Sequence, residues 1–340
     1  MVNTIAHLMS SYPFIHYSCL SFVTLIISFR VYCQHFVWTK CVPKNSMKGK
    51  TVVITGANSG VGKETARELA LKGARVVMGC RDRHSAQQLI QQMNKDLAFK
   101  PNIVYKNIDL CSFASVKEFA EDIIQNERSV DILINNAAVF GPPFALTVDG
   151  FESQFQTNHL SSALLTLLLS PKLQTSSQMS SHRSRVLMIT STLYRKGVID
   201  ENDFKKGYAS LDNYDKRKAY NNSKLANILF ARRLHKNIVS DNQLIDVLIA
   251  SPGIVWTNLG RHLMLKWWQK CVLLPFAVMF VRTPKQGAQT PVHCTTAQSI
   301  TSDSLYRNCC PQEWDAIVSD SVLSDKVYEL TIKAIENYLK

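Results

Sequence analysis

A doubly wound parallel α/β sheet, carried by one large domain behind a hydrophobic N-terminal segment, is the fold class that this sequence predicts. Three observations lead there. From Lys50 onward, strand-like apolar runs alternate with stretches of helical composition, the order that lays helices on both faces of a parallel sheet. The runs are apolar throughout rather than at every second residue, so neither face of the sheet is left to water. A glycine-rich turn, Thr55-Gly56-Ala57-Asn58-Ser59-Gly60-Val61-Gly62, joins the first run to the first helix. With 340 residues and 46% hydrophobic content the chain can bury a core of that size.

In chain order, residues 1–45 read as a hydrophobic anchor with a basic flank and residues 46–340 as the folded domain. From Pro13 to Phe29 there is no formal charge; Arg30, Lys40, Lys44, Lys48 and Lys50 follow. About 20 apolar residues cross a bilayer. This run is shorter and is broken by His16 and three serines, so spanning the membrane and lying in its interface both stay open. No basic stretch precedes the run and no clear small-residue cleavage site follows it, which disfavours a cleaved signal peptide. The basic C-terminal flank predicts a domain on the cytosolic side.

Six parallel strands are expected at 51–55, 74–79, 103–108, 132–135, 185–190 and 246–250, with a seventh edge strand near Leu305-Tyr306. Helices are expected at 63–72, 114–126, 151–169 and 220–236. Segment 263–281 holds Trp267 and Trp268 ahead of an apolar run. It reads either as a core helix or as a hydrophobic lid that dips into the lipid interface, where Trp is favoured.

A glycine-rich turn between strand and helix lets backbone N–H groups approach a pyrophosphate, and the helix N-terminus adds partial positive charge. Residues 55–62 and Lys63 therefore read as a dinucleotide site. Tyr220 and Lys224 lie four residues apart on one face of a predicted helix. A nearby cation favours the phenolate, so the tyrosine pKa is expected to be lowered and the phenol to exchange protons near neutral pH. Together the two features imply hydride transfer between an alcohol and a carbonyl. Tyr214 and Lys218 share the spacing but fall in a charged stretch that reads as a surface loop. Ser191 ends a predicted strand, at the edge where open α/β sheets bind ligands. There it either donates a hydrogen bond to a substrate oxygen or is a plain strand-end serine.

At the end of the second strand, Cys80 fills the position where an acid would bond a ribose, and Arg81 follows. A guanidinium suits a 2′-phosphate by charge and forked geometry, so NADP(H) is expected over NAD(H). A one-residue register shift would instead make Asp82 the ribose ligand; Asp82 is expected to start the next helix.

On these motifs the chain resembles the short-chain dehydrogenase/reductase family, from about Lys50 to the C-terminus. Thr55, Gly56, Gly60 and Gly62 match T-G-x-x-x-G-x-G, and Asn135-Asn136-Ala137-Ala138 matches N-N-A-G with alanine in place of glycine. The resemblance implies a Rossmann fold with Asn158, Ser191, Tyr220 and Lys224 as catalytic residues and Ser191 on the substrate. It implies that Asp109 accepts from the adenine amino group. Leu110, Asn136, Ala137, Pro252, Gly253 and Thr257 line the cofactor together with Tyr220 and Lys224. Gly60-Val61-Gly62-Lys63-Glu64-Thr65-Ala66, Cys80-Arg81-Asp82 and the run from Pro252 to Arg261 resemble membrane-bound retinol dehydrogenases that use NADP. A retinoid substrate and the endoplasmic reticulum membrane follow as expectations, with mitochondrial or lipid-droplet membranes as other locations.

The formal charge of +13 raises nucleic acid as a partner, but the basic residues are dispersed and no nucleic-acid module is present. Cofactor phosphates and an anionic membrane surface account for it. Nine cysteines without a C-x-x-C pair read as reduced thiols facing the cytosol. The histidines show no metal-ligand spacing, so no metal is expected, and His159 reads as a packing residue. Asn135, Asn136 and Asp109 have a simpler alternative as turn residues. Other lipid aldehydes or steroids are alternative substrates. A scaffold that has lost catalysis, and a soluble reductase with a flexible tail, are rival readings. A homo-oligomer stays open.

Overall fold

The computed structural model describes residues 13–38, 45–96, 99–180, 182–205, 208, 214–257, 259 and 266–340. Among them one eight-stranded sheet forms, in the order β3-β2-β1-β4-β5-β6-β7-β8. The strands are β1 Thr51–Thr55, β2 Arg75–Cys80, β3 Ile103–Asn107, β4 Ile132–Asn135, β5 Ser184–Ile189, β6 Ile245–Ser251, β7 Ser304–Arg307 and β8 Cys310–Gln312. All pairs through β7 are parallel, and β8 closes the edge antiparallel to β7. The order reverses between β1 and β4, so the loops leaving these two strands diverge and open a crevice at the carboxyl edge.

Alternate side chains divide the interior in two, as a period of two requires. Val52, Ile54, Val76, Met78, Ile134 and Leu187 point to one face and Val53, Val77, Leu133, Val186 and Val247 to the other. The helices are α1 Pro13–Tyr32, α2 Gly60–Leu71, α3 Arg83–Asp96, α4 Phe113–Asn126, α5 Ser161–Met179, α6 Lys216–Ser240, α7 Trp267–Phe280, α8 Gln289–Thr296 and α9 Ser321–Ile335. Ala66, Leu69, Leu89, Met93 and Cys294 bring α2, α3 and α8 onto the first face. Phe119, Leu164, Leu229 and Val327 bring α4, α5, α6 and α9 onto the second. This is the doubly wound fold read from the sequence.

Several expectations need correction. The helix expected at 151–169 runs unbroken from Ser153 to Met179, but it is not regular: a π-helical turn, Gln156–Leu160, is inserted between the turn Ser153–Phe155 and α5. Helix α6 starts a full turn before Tyr220 because Asp215 caps it, its carboxylate accepting from the N–H groups of Arg217 and Lys218. Strand β8 carries no apolar signal, since all three of its residues are exposed. Cys309, buried just before β8, is disulfide-bonded, so the expectation of reduced thiols fails there. Helix α7 is no core helix: Trp267 is 78% exposed and Leu274 and Phe276 are each 57% exposed. Among the described residues no helix is long and apolar enough to cross a membrane.

Candidate active site at the carboxyl edge

The glycine turn after β1 is shaped by contacts that tolerate no side chain. Gly56 and Gly60 hold φ values of +65° and +57°, open to glycine at little cost. A Cβ on Gly62 would sit 2.4 Å from the Gly56 carbonyl oxygen, and one on Gly60 would sit 2.9 Å from Thr257. Asn136 braces the same turn: its Nδ2 donates to the carbonyls of Thr55 (2.9 Å) and Gly56 (3.2 Å). The Thr55 hydroxyl oxygen accepts from the N–H groups of Asn136 and Ala137, both at 3.1 Å. Ser59 precedes α2 in an extended conformation, and its side chain makes no cap bond. The first N–H groups of α2, Val61 among them, therefore face the crevice without an internal acceptor from that side chain. Such an uncapped helix start fits an anionic phosphate.

The next loops complete this half of the site. Asn58 donates to Ser85 Oγ at 2.8 Å. The Cys80 thiol is hydrogen-bonded to the backbone at Ala57 and Asn58, and burial pushes it up to about 11. Arg81 holds its guanidinium out, 3.9 Å from Asp109 and 67% exposed. Asp82 turns the other way: its Oδ1 accepts from the N–H groups of His84 (3.0 Å) and Ser85 (3.2 Å) and so starts α3. Asp109 accepts from the Cys111 N–H at 2.9 Å, as a turn residue does. Lys63 lines a polar cleft between α2 and α3 with Arg67, Gln92 and Asp96. The Leu110 side chain is buried in the core, and its carbonyl accepts from Ser161.

Across the switch point, β5, β6, α6 and the π-helical turn bring the other polar residues together. Ser191, two residues past the end of β5, accepts from the Leu193 N–H at 3.3 Å and lies within hydrogen-bonding reach of the Tyr220 phenol. Phe140 packs edge-on against the Tyr220 ring at 4.8 Å between centroids. One turn along α6, Lys224 Nζ stands 5.7 Å from that ring and donates to the Ile189 carbonyl at 3.0 Å. The Asn158 amide takes both backbone polar groups of Val139: Oδ1 accepts its N–H at 2.8 Å and Nδ2 donates to its carbonyl at 3.0 Å. Nδ2 also donates to Ser223 Oγ at 3.1 Å, and Ser223 donates to the Tyr220 carbonyl at 2.7 Å. A π-turn widens the helix so that one residue can reach outward in this way. Gly253 after β6, at φ +81°, lets Pro252-Gly253 turn toward Thr257, which meets Gly60.

Electrostatics overturn one expectation. Burial raises Tyr220 to about 12, with the Ser191 hydrogen bond opposing it, and lowers Lys224 to about 8. Removing water penalises the phenolate and the ammonium alike, and at this separation the cation does not reverse that penalty. Tyr220 is thus held as a neutral phenol beside the Ser191 hydroxyl. Tyr214 is no surface loop residue either. Its hydroxyl donates to the buried Glu152 at 3.0 Å, its ring packs on Phe144, and its partner by spacing, Lys218, is exposed.

His159 is more than packing. Fully buried, it bonds Asn227 Oδ1 and Thr331 Oγ1, both at 2.9 Å, and Asn227 Nδ2 donates to the Asn158 carbonyl at 2.8 Å. Val139, Phe140, Ile189 and Asn227 went unread in the sequence. Phe140 had a signal, its place just past Asn135-Asn136-Ala137-Ala138; Val139 and Ile189 act through backbone atoms and had none.

The short chain dehydrogenase family profile matches residues 50–202. Retinol dehydrogenase 14 of Homo sapiens is 38% identical over 299 residues, covering 84% of this chain and 86% of that protein. Retinol dehydrogenase 12 of Homo sapiens is 37% identical, covering 83% and 84%. Among solved structures, an uncharacterised protein from Mycobacterium paratuberculosis superposes with a TM-score of 0.68 at 30% identity, covering 86% of this chain and 95% of that one. The Pseudomonas aeruginosa RhlG/NADP complex superposes at 0.59 with 23% identity, covering 76% and 94%, a likeness of fold.

Proposed function

Because this chain belongs to the short-chain dehydrogenase/reductase family, we propose that it is an NADP(H)-dependent oxidoreductase that interconverts a lipophilic alcohol and its aldehyde, most simply retinol and retinal. The observation that carries this reading is the convergence of Ser191, Tyr220 and Lys224 beside the glycine turn at one sheet edge. The cofactor phosphates would lie on the start of α2, and the nicotinamide end near Pro252-Gly253, Thr257, Tyr220 and Lys224. NADP(H), when bound, supplies or accepts the hydride.

In the reductive direction the aldehyde oxygen sits between the Ser191 hydroxyl and the Tyr220 phenol. Ser191 donates a hydrogen bond that strengthens as negative charge develops on that oxygen. Tyr220 then gives its proton to the oxygen, and the product is the alcohol. The raised Tyr220 pKa suits this role, since the proton donor is fully loaded at neutral pH. Lys224, near 8, is the group poised to return a proton to Tyr220 from its side of the site. Asn158 fixes the 139–140 loop, and with it the Phe140 ring, against Tyr220. Oxidation of the alcohol runs these transfers backwards.

The preference for NADP(H) is supported at the end of β2. Asp82 is committed to capping α3, which removes the acidic rival, and Arg81 offers its forked donors beside Cys80. Steady-state kinetics with both cofactors and all-trans-retinal test this reading. Wild type is expected to favour NADPH, and Arg81→Ala to raise the NADPH KM about tenfold or more with little change for NADH. A preference for NADH, or an unchanged NADPH KM, sinks the assignment.

Membrane attachment through residues 1–45, with the domain on the cytosolic side, is supported by the outward apolar side chains of α1. Deleting residues 1–45 is expected to move most of the protein into the carbonate-soluble fraction with its circular dichroism unchanged. Full retention on the membrane would transfer the anchor to α7.

A further inference from the structure

Two residues of the N-terminal segment, Arg30 and Trp38, form one stack with Arg282, which lies far away in sequence next to the loop after β6. Trp38, 9% exposed, follows α1 and the π-helical turn Cys33–Val37. The Arg30 guanidinium lies 4.6 Å from its ring centroid and that of Arg282 lies 5.5 Å from it. Each arginine then reaches a different element. Arg30 Nη1 donates to the carbonyls of Val278 (2.9 Å) and Val281 (2.5 Å), the C-terminal end of α7. A cation there is favoured because those carbonyls lack helical partners. Beside it, Phe29 packs edge-on against Phe280 at 5.4 Å.

Arg282 is 7% exposed, and burial lowers its pKa to about 10. Its guanidinium donates to the Pro252 carbonyl and to Asn308 Oδ1. Its backbone exchanges two hydrogen bonds with the loop after β6, N–H to the Ile254 carbonyl at 2.8 Å and carbonyl from the Trp256 N–H at 2.9 Å. That loop carries Gly253, packed 3.2 Å from Arg282 Nε at its would-be Cβ, and Thr257, packed on Gly60. The stack therefore runs from α1 through Trp38 to two places, the C-terminal end of α7 and the turn after β6. A buried guanidinium is costly to desolvate, so using the Arg282 donors on the Pro252 carbonyl and the Asn308 side chain, and its face on an indole, is a specific arrangement.

We propose that Arg30, Trp38 and Arg282 form a clamp that makes the N-terminal helix part of the substrate site, by holding α7 in register over the 252–257 loop. The clamp rests on the functional reading above and deepens it: α1 is a positioning element for a long lipophilic substrate as well as a means of attachment. A short aldehyde, which reaches only Ser191 and Tyr220, does not need α7 to be held.

The test uses the full chain purified in detergent micelles with NADPH, assayed against all-trans-retinal and against hexanal. Arg30→Gln and Trp38→Ala are expected to raise the retinal KM about tenfold, the scale of one lost desolvated cation–π contact with its hydrogen bonds, while kcat, the NADPH KM and hexanal turnover stay within about twofold. Trp38→Phe, which keeps an aromatic face, is expected to restore the retinal KM. A separate readout does not depend on activity: tryptic cleavage after Lys266, at the start of α7, is expected to be several times faster in Trp38→Ala than in wild type. An unchanged retinal KM together with unchanged cleavage overturns the clamp, as does an equal loss on both aldehydes that Trp38→Phe does not rescue. If wild type reduces neither aldehyde, the functional reading falls, and the cleavage rates alone still decide for or against the clamp.

Discussion

At the carboxyl edge of the sheet, Asn158, Tyr220 and Lys224 are all less than 5% exposed and each is tied by named hydrogen bonds or ring contacts. On the α1–α7 pair, Phe22, Leu25, Leu274 and Phe276 are each more than 50% exposed. The two regions answer different physical demands. Proton transfer fails when donor and acceptor are misplaced by an ångström, so the site is wired into helices, strands and a π-turn. On the proposed reading, recognition of an apolar chain needs surface and little direction, and the exposed side chains of α1 and α7 are ones that a lipophilic substrate or a lipid would meet. The Arg30–Trp38–Arg282 stack is the place where the loose region is tied to the rigid one.

The contrast predicts that the same size of change has unequal effects in the two regions. Adding one methyl group at Gly62 drives a Cβ to 2.4 Å from the Gly56 oxygen, and a rigid turn has no room to yield. Gly62→Ala is expected to weaken NADPH binding by about 100-fold or more in a fluorescence titration, with circular dichroism retained. Affinity near wild type would show that the turn is softer than its geometry implies.

A smaller effect comes from the network behind the site. His159 is lowered to about 4 by burial, against an ordinary value of 6.5. Between those values the unfolded chain takes up a proton that the folded chain refuses, so stability is present above pH 6.5 and is lost as pH falls toward 4. The full loss from this one group is about 3 kcal/mol. Denaturant midpoints for wild type and His159→Gln across that window measure it: the wild-type curve should fall more steeply with acid. Parallel curves would mean that His159 is not the buried neutral group assigned here.

How much of this was legible depends on what each residue does. The strands were readable because burial on both faces leaves only apolar residues, and all seven parallel ones lie within a residue or so of expectation. Ser191 and Tyr220 were readable because their chemistry is in their side chains, and the glycine turn because only a residue without one fits there. The π-turn at Gln156–Leu160 was not, since Asn158 makes it by reaching for Val139, 19 residues earlier. The direction of the Tyr220 shift was misread because spacing shows the cation and not the loss of water around both groups. Arg30 gave no sign of its role, for its acceptors lie 248 and 251 residues away. Strand β8, short and exposed, follows from pairing with β7 rather than from any pattern of its own.

Tyr220 is the proton donor of the proposed reaction. NADPH-dependent reduction of all-trans-retinal should be followed for wild type, Tyr220→Phe and Tyr214→Phe, with the cofactor affinity of each measured in parallel. Tyr220→Phe is expected to lose roughly a thousandfold in kcat while binding NADPH as wild type does. Tyr214→Phe loses only its bond to Glu152 and should keep its turnover. A Tyr220→Phe enzyme that retains a large share of wild-type turnover, or a Tyr214→Phe enzyme that is inactive in its place, would contradict the assignment.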